Sequence, residues 1–163
     1  VMATIDFAKT GSEAELQDAV ADLVEAGKMR ADETGVLNYC RLLAFFKSDL
    51  GNHMKQAAAE GRLHREQPFV IRRSACDIFP ERTEKDPVLI QGIIDGFYDT
   101  EDGIVLMDYK TDSLKPGQEE KLIERYQTQM ELYRDALEEV FHRKVISCVL
   151  YSFSLGKEIQ VPL

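Results

Sequence analysis

Two aspartates and one lysine stand where their chemistries can combine. Asp95 closes the run Gly92-Ile93-Ile94-Asp95, and Asp108 and Lys110 lie within Met107-Asp108-Tyr109-Lys110-Thr111-Asp112. The apolar, β-branched and aromatic runs that carry them, residues 88–98 and 104–109, are separated by Asp99-Thr100-Glu101-Asp102-Gly103, which signals a hairpin. With the loop at residues 100–103, antiparallel register sets Asp95 across from Asp108, side chains about 5 Å apart. Lys110, two residues on, points to the same face. Facing carboxylates raise each other's pKa unless a cation separates them. A hard divalent ion such as Mg²⁺ or Mn²⁺ resolves that conflict. A neighbouring lysine suits phosphodiester hydrolysis, where it can position or help deprotonate a water, or stabilise charge on the phosphate. The competing reading is two solvated edge carboxylates with Lys110 as a salt bridge, and a one-residue slip of register would part the pair. The neighbours Ile93, Ile94, Leu106 and Met107 favour a sheltered site, because charges seldom sit among such residues unless paired or ligating.

The surrounding elements must hold this hairpin in place. Up to about residue 62 the chain is helical. Ser12 with Glu15 has capping-box spacing, Leu16, Val20, Leu23 and Val24 share a face, and Gly27 ends the run. A second helix is expected over residues 32–50, with Leu37, Cys40, Leu43, Ala44 and Phe45 inward, and a third over residues 52–60. Phe69-Val70-Ile71 begins a strand, and Pro80 and Pro87 bracket a polar loop. After Pro116-Gly117 a helix over residues 118–141 carries Leu122, Tyr126, Met130, Tyr133, Leu137 and Val140 as a buried stripe. Residues 145–153 and 158–161 read as closing strands around Gly156. This order predicts an α/β domain with a mixed central sheet flanked by helices. Residues 1–62 form its helical N-terminal part and residues 63–163 its core.

Composition narrows the field. The 163 residues carry 20 Lys+Arg against 29 Asp+Glu, a formal charge of −9, with 44% hydrophobic and 30% charged residues. That suits one globular domain rather than a disordered or fibrous chain. No apolar run approaches the roughly 20 residues of a membrane span, and no signal peptide is seen, so no membrane partner is expected. Cys40, Cys76 and Cys148 are scattered without a C-x-x-C. They argue against a disulfide framework, a zinc site or an iron–sulfur cluster, and for a cytoplasmic location. There is no G-x-x-x-x-G-K-[ST], so any ATP is bound outside this segment, and no Gly-x-Ser-x-Gly hydrolase elbow. The acidity argues against an autonomous, charge-driven binder of nucleic acid. The opening Val1-Met2-Ala3 lacks an initiator Met and reads as a piece of a longer protein.

Four segments together resemble the RecB-like branch of the PD-(D/E)XK nucleases: Arg65-Glu66-Gln67-Pro68-Phe69, Gln91-Gly92-Ile93-Ile94-Asp95, Val105-Leu106-Met107-Asp108-Tyr109-Lys110-Thr111-Asp112, and Tyr126-Gln127-Thr128-Gln129-Met130-Glu131-Leu132-Tyr133. The resemblance runs from about Leu63 to the C-terminus and is looser in the helical first third. It implies a restriction-endonuclease-like core, with Asp95 and Asp108 as metal-binding carboxylates for Mg²⁺ or Mn²⁺ and Lys110 as the catalytic lysine. Gln129 and Tyr133, one helical turn apart, are similar to residues that help hold DNA, although Tyr133 also suits plain core packing. Glu66, just before the first strand, is similar to the family's acidic residue there; it ligates or orients the site, or pairs with a cation such as Arg65. The resemblance also implies a further metal-ligating His that falls upstream of Val1. His53 and His142 read as surface residues, and His64 is a weak substitute. The 163 residues alone are therefore expected to bind metal poorly. The implied function is metal-dependent exonuclease cleavage of DNA in a bacterial helicase/nuclease that resects broken ends for recombinational repair. A helicase motor would feed it single strands, and a partner subunit would complete the assembly. The alternative is a nuclease-like module that binds DNA or a subunit without cutting.

Overall fold

The computed structural model describes residues 1–75 and 87–162. Cys76, Pro80 and most of the expected polar loop lie outside the described residues.

The N-terminal helices begin where side chains satisfy their first amides. Helix α1, Glu13–Glu25, carries the expected capping box: the Glu15 N–H donates to Ser12 Oγ, and the Glu15 carboxylate accepts from the Ser12 N–H. Leu16, Val20 and Leu23 form its buried side. The helix expected over residues 32–50 is broken into a 3-10 turn, Ala31–Val36, and α2, Tyr39–Lys47, and the third helix, expected over residues 52–60, is α3, which starts earlier, Asp49–Ala59. Polar caps make the break: the Asn38 side chain accepts from the Arg41 N–H, and Ser48 Oγ accepts from the Gly51 N–H. The restart turns Leu42, Phe45 and Phe46 inward and leaves Cys40 and Ala44 outside the buried set. Gly51 lets the two helices meet, since a Cβ there would stand 2.1 Å from the Phe45 carbonyl oxygen.

The sheet contains β1, Leu63–Ser74, β2, Pro87–Asp99, β3, Ile104–Lys110, β4, Val145–Ser152, and β5, Lys157–Val161, in the order β1-β2-β3-β4-β5. β1 starts well before Phe69, where the first strand is expected. All neighbours are antiparallel except β3 and β4, which run parallel and are joined across the sheet by α4, Glu119–Phe141. The mixed sheet therefore has the expected form. Alternation along the strands divides the core: Val105, Met107, Val149 and Tyr151 pack against α1–α3, while Ile104, Leu106, Cys148 and Leu150 pack against α4. On α4 the stripe holds through Leu122, Met130 and Leu137, with Ala136 buried beside them, but Val140 is 56% exposed in the last turn. No described helix is long and apolar enough to cross a membrane.

Candidate active site

The site forms where the β2–β3 ladder ends. β1 and β2 pair in one register on both sides of Glu66, with Arg65 opposite Gly96 and Gln67 opposite Ile94, but Glu66 and Asp95 themselves are skipped. Glu66 has φ 51°, a left-handed conformation that costs a non-glycine residue about 1 kcal/mol or more. The side-chain alternation switches there. His64 stacks on Phe97 on the α4 side, and Phe69 and Ile71, at odd-numbered positions, face that side too. On β2 the same switch puts both Ile94 and Phe97 in the α4-side core. The two strands bend together at the Glu66–Asp95 position. Glu66 thus lies inside β1, a correction to its expected place just before the first strand, and its side chain is exposed.

The β2–β3 ladder keeps the expected register from Asp99–Ile104 to Gly96–Met107 and stops there. Beyond it, Asp95 is not the ladder partner of Asp108. Its carboxylate instead accepts the Tyr109 N–H at 3.0 Å, taking the place of a backbone acceptor in the gap. Tyr109 faces the other side of the sheet, with its ring edge-on to Phe45 at 5.4 Å, and this anchors the strand segment carrying Asp108 and Lys110. Burial, with the nearby Asp95, Asp108 and Glu66 charges, holds the Tyr109 phenol protonated.

Asp108 and Lys110 are 2% and 9% exposed and both face α4. Lys110 Nζ lies 2.5 Å from Asp108 Oδ2, a buried ion pair. Burial pushes the Asp108 carboxyl up to about 6; the Asp95 charge adds to this, and the Lys110 ammonium opposes it. Lys110 Nζ also donates to Gln129 Oε1 at 3.1 Å and lies 3.7 Å from the centre of the Tyr126 ring. Gln129 Nε2 donates to the Tyr133 hydroxyl at 2.6 Å, and the Tyr133 ring meets Phe69 edge-on. Gln129 and Tyr133 are therefore brought to the lysine, and the Tyr133 ring also packs against the core.

Sequence reasoning gives no role to two side chains at this spot: Tyr126 stands in the buried stripe and opens a motif segment, and Asp112 closes another. The Tyr126 hydroxyl donates to Asp112 Oδ2 at 2.9 Å, and Arg125 pairs with Asp112 Oδ1 at 2.6 Å. The available signal is spacing, since Tyr126, Gln129 and Tyr133 at i, i+3 and i+7 share one helix face.

His64 pairs with Asp99 at the far end of the hairpin, its Nε2 3.1 Å from Oδ2, and His53 and His142 are exposed. Among the described residues, no cluster of three or more His, Cys, Asp and Glu side chains is arranged to hold a metal ion. Asp95 and Asp108 offer carboxylate oxygens, the donor type that a hard cation takes.

A family model described as the PD-(D/E)XK nuclease superfamily matches residues 5–160. The chain belongs to the PD-(D/E)XK nuclease superfamily. Nucleases of this superfamily generally use divalent metal ions. The chain is similar to proteins named as the A-type subunit of an ATP-dependent helicase/nuclease. It is 37% identical over 166 residues to the one from Clostridium perfringens strain 13, covering 99% of this chain and 13% of that protein. The Lachnoclostridium phytofermentans protein is 35% identical over 194 residues, with 99% and 14% covered. The Alkaliphilus oremlandii protein is 31% identical over 163 residues, with 99% and 13% covered. This PD-(D/E)XK domain thus spans about an eighth of the length of these relatives.

Proposed function

We propose that this chain is the divalent-metal-dependent deoxyribonuclease domain of a bacterial ATP-dependent helicase/nuclease of the AddA kind. The observation that carries this reading is the buried Asp108 carboxylate, ion-paired with Lys110 and close enough to Asp95 to feel its charge. Asp95 and Asp108 would hold Mg²⁺ or Mn²⁺, which on binding supplies Lewis-acid activation of the phosphate and a more acidic water. Asp95 is oriented by the Tyr109 N–H, and Asp108 by its place on β3. Lys110, held among Asp108, Gln129 and Tyr126, would orient the attacking water or steady charge on the phosphate. Gln129 and Tyr133 secure the lysine from α4 in addition to any contact with DNA. Glu66, exposed on β1, would orient the site from the solvent side. An upstream histidine would add a further protein ligand to the two carboxylates.

In the intact protein, residues 1–62 would form the helical wall of the domain and residues 63–163 its catalytic core. The substrate would be DNA, cut as an exonuclease at single-stranded ends delivered by a motor that binds ATP outside this segment. An AddB-type subunit would complete the assembly, and the role would be resection of double-strand breaks for recombinational repair in the cytoplasm. The charge of −9 means that most of the grip on DNA comes from outside these residues.

The test is cleavage of end-labelled DNA by the full-length protein with its partner, in Mg²⁺ or Mn²⁺, for the wild type and for Asp108→Ala and Lys110→Ala. Each substitution should lower the cleavage rate by roughly 10²–10³-fold or more while DNA binding persists. Equal cleavage without Asp108, or no cleavage by the wild type with any divalent ion, would leave the non-catalytic binding module as the correct reading.

A further inference from the structure

The Lys110 backbone is fixed from the β4 side. It pairs with Ser152 in the parallel ladder, and its carbonyl accepts the Phe153 N–H at 2.9 Å. Its side chain is a flexible four-carbon stem ending in three N–H donors. One direction from Nζ leads to Asp108 and a second to Gln129. In the third, the Tyr126 ring centroid is 3.7 Å away, at the close end of cation–ring contact.

The ring is itself held. Its hydroxyl donates to Asp112 Oδ2, while Arg125 occupies Asp112 Oδ1. Both oxygens of Asp112 are thereby engaged, and the residue does not compete with Asp108 for the lysine. The pattern suits a reacting ammonium. An aromatic face attracts a cation without accepting its proton, and more weakly than a second carboxylate would, so the charge stays available to a phosphate.

We propose, on the basis of the nuclease reading above, that Tyr126 is a positioning residue for Lys110: its ring face bears the ammonium, and Asp112 fixes the ring. The Asp112–Tyr126 pair joins the segment after β3 to the first half of α4, so the lysine is aimed by both elements that meet at the site.

The experiment uses the full-length protein bound to its partner, with saturating Mn²⁺, measuring the single-turnover cleavage rate at saturating DNA and, separately, the Kd for a DNA end. Tyr126→Leu should slow cleavage about tenfold with Kd unchanged. Tyr126→Phe keeps the ring face and should restore the rate to within about threefold of wild type, and Asp112→Ala should fall about threefold, again at constant Kd. Wild-type cleavage by Tyr126→Leu overturns the proposal, as does equal impairment of the Leu and Phe variants, or a loss that appears in Kd. Should Tyr126→Leu fail to fold, Asp112→Ala decides: a wild-type rate overturns the proposal, and slower cleavage at constant Kd supports it. Asp108→Ala, run alongside, separates the two levels. If it cuts as well as wild type, the nuclease reading itself falls. If it is inactive while Tyr126→Leu is unimpaired, only the positioning role falls.

Discussion

Replacing Asp108 with Asn removes a charge that burial opposes while nearly preserving the side chain's shape. The Asp108 carboxyl is raised from 3.8 to about 6, chiefly by burial, with the Asp95 charge adding and Lys110 opposing. Two pKa units correspond to about 3 kcal/mol between protonation states. Because the folded chain holds this proton more tightly than the unfolded chain, the group's contribution to stability is fully present below about pH 4. It is lost as pH rises through about 6. Asn does not ionise and loses nothing over that interval. Metal-free Asp108→Asn should therefore gain about 2–3 kcal/mol relative to wild type between pH 4 and pH 8, or roughly 5–10 °C in Tm for a chain of this size. Urea unfolding of the 163-residue chain in chelator at pH 4, 6 and 8 measures the gap. A gap that does not widen with pH, or an Asn variant that loses ground at pH 8, would refute the reasoning that Asp108 is held ionised against its burial.

Gly51→Ala should destabilise the chain by about 2–4 kcal/mol in urea unfolding, because the new Cβ would strike the Phe45 carbonyl, a backbone atom that side-chain motion does not relieve. Gln129→Ala removes one acceptor from Lys110 and the donor to Tyr133, and should slow DNA cleavage about tenfold while shifting Tm by only a few degrees. Mn²⁺ affinity, measured by calorimetry, should be about tenfold tighter at pH 7.5 than at pH 5, with proton release, because the cation must displace the proton from a carboxyl that titrates near 6.

The hairpin is readable in advance because its loop carries Asp-Gly between two apolar runs, and loop length fixes register. What that reading misses is the point where the register stops. A ladder extended to Asp95 and Asp108 would use backbone partners throughout, whereas the carboxylate of Asp95 takes one of them. Nothing in the local sequence announces a left-handed Glu66, since that conformation is disfavoured for a glutamate and is held by the β1–β2 pairing before and after it. The start of α2 at residue 39 and the early start of α3 are encoded in the caps Asn38 and Ser48, but the apolar residues between 32 and 50 also fit one continuous helix. Tyr126 is hidden by its size: an aromatic residue on a helical stripe looks like core. Its contact with Lys110 arises only when α4 packs back across β3.

The central claim is that Asp95 and Asp108 hold a divalent cation beside Lys110. The most direct measurement is the anomalous scattering of Mn²⁺ in crystals of the full-length protein. The expected result is a peak about 2–2.3 Å from Asp108 Oδ2 and within ligand distance of the Asp95 carboxylate. A Mn²⁺ peak elsewhere, with Asp108 still facing only Lys110, would contradict it.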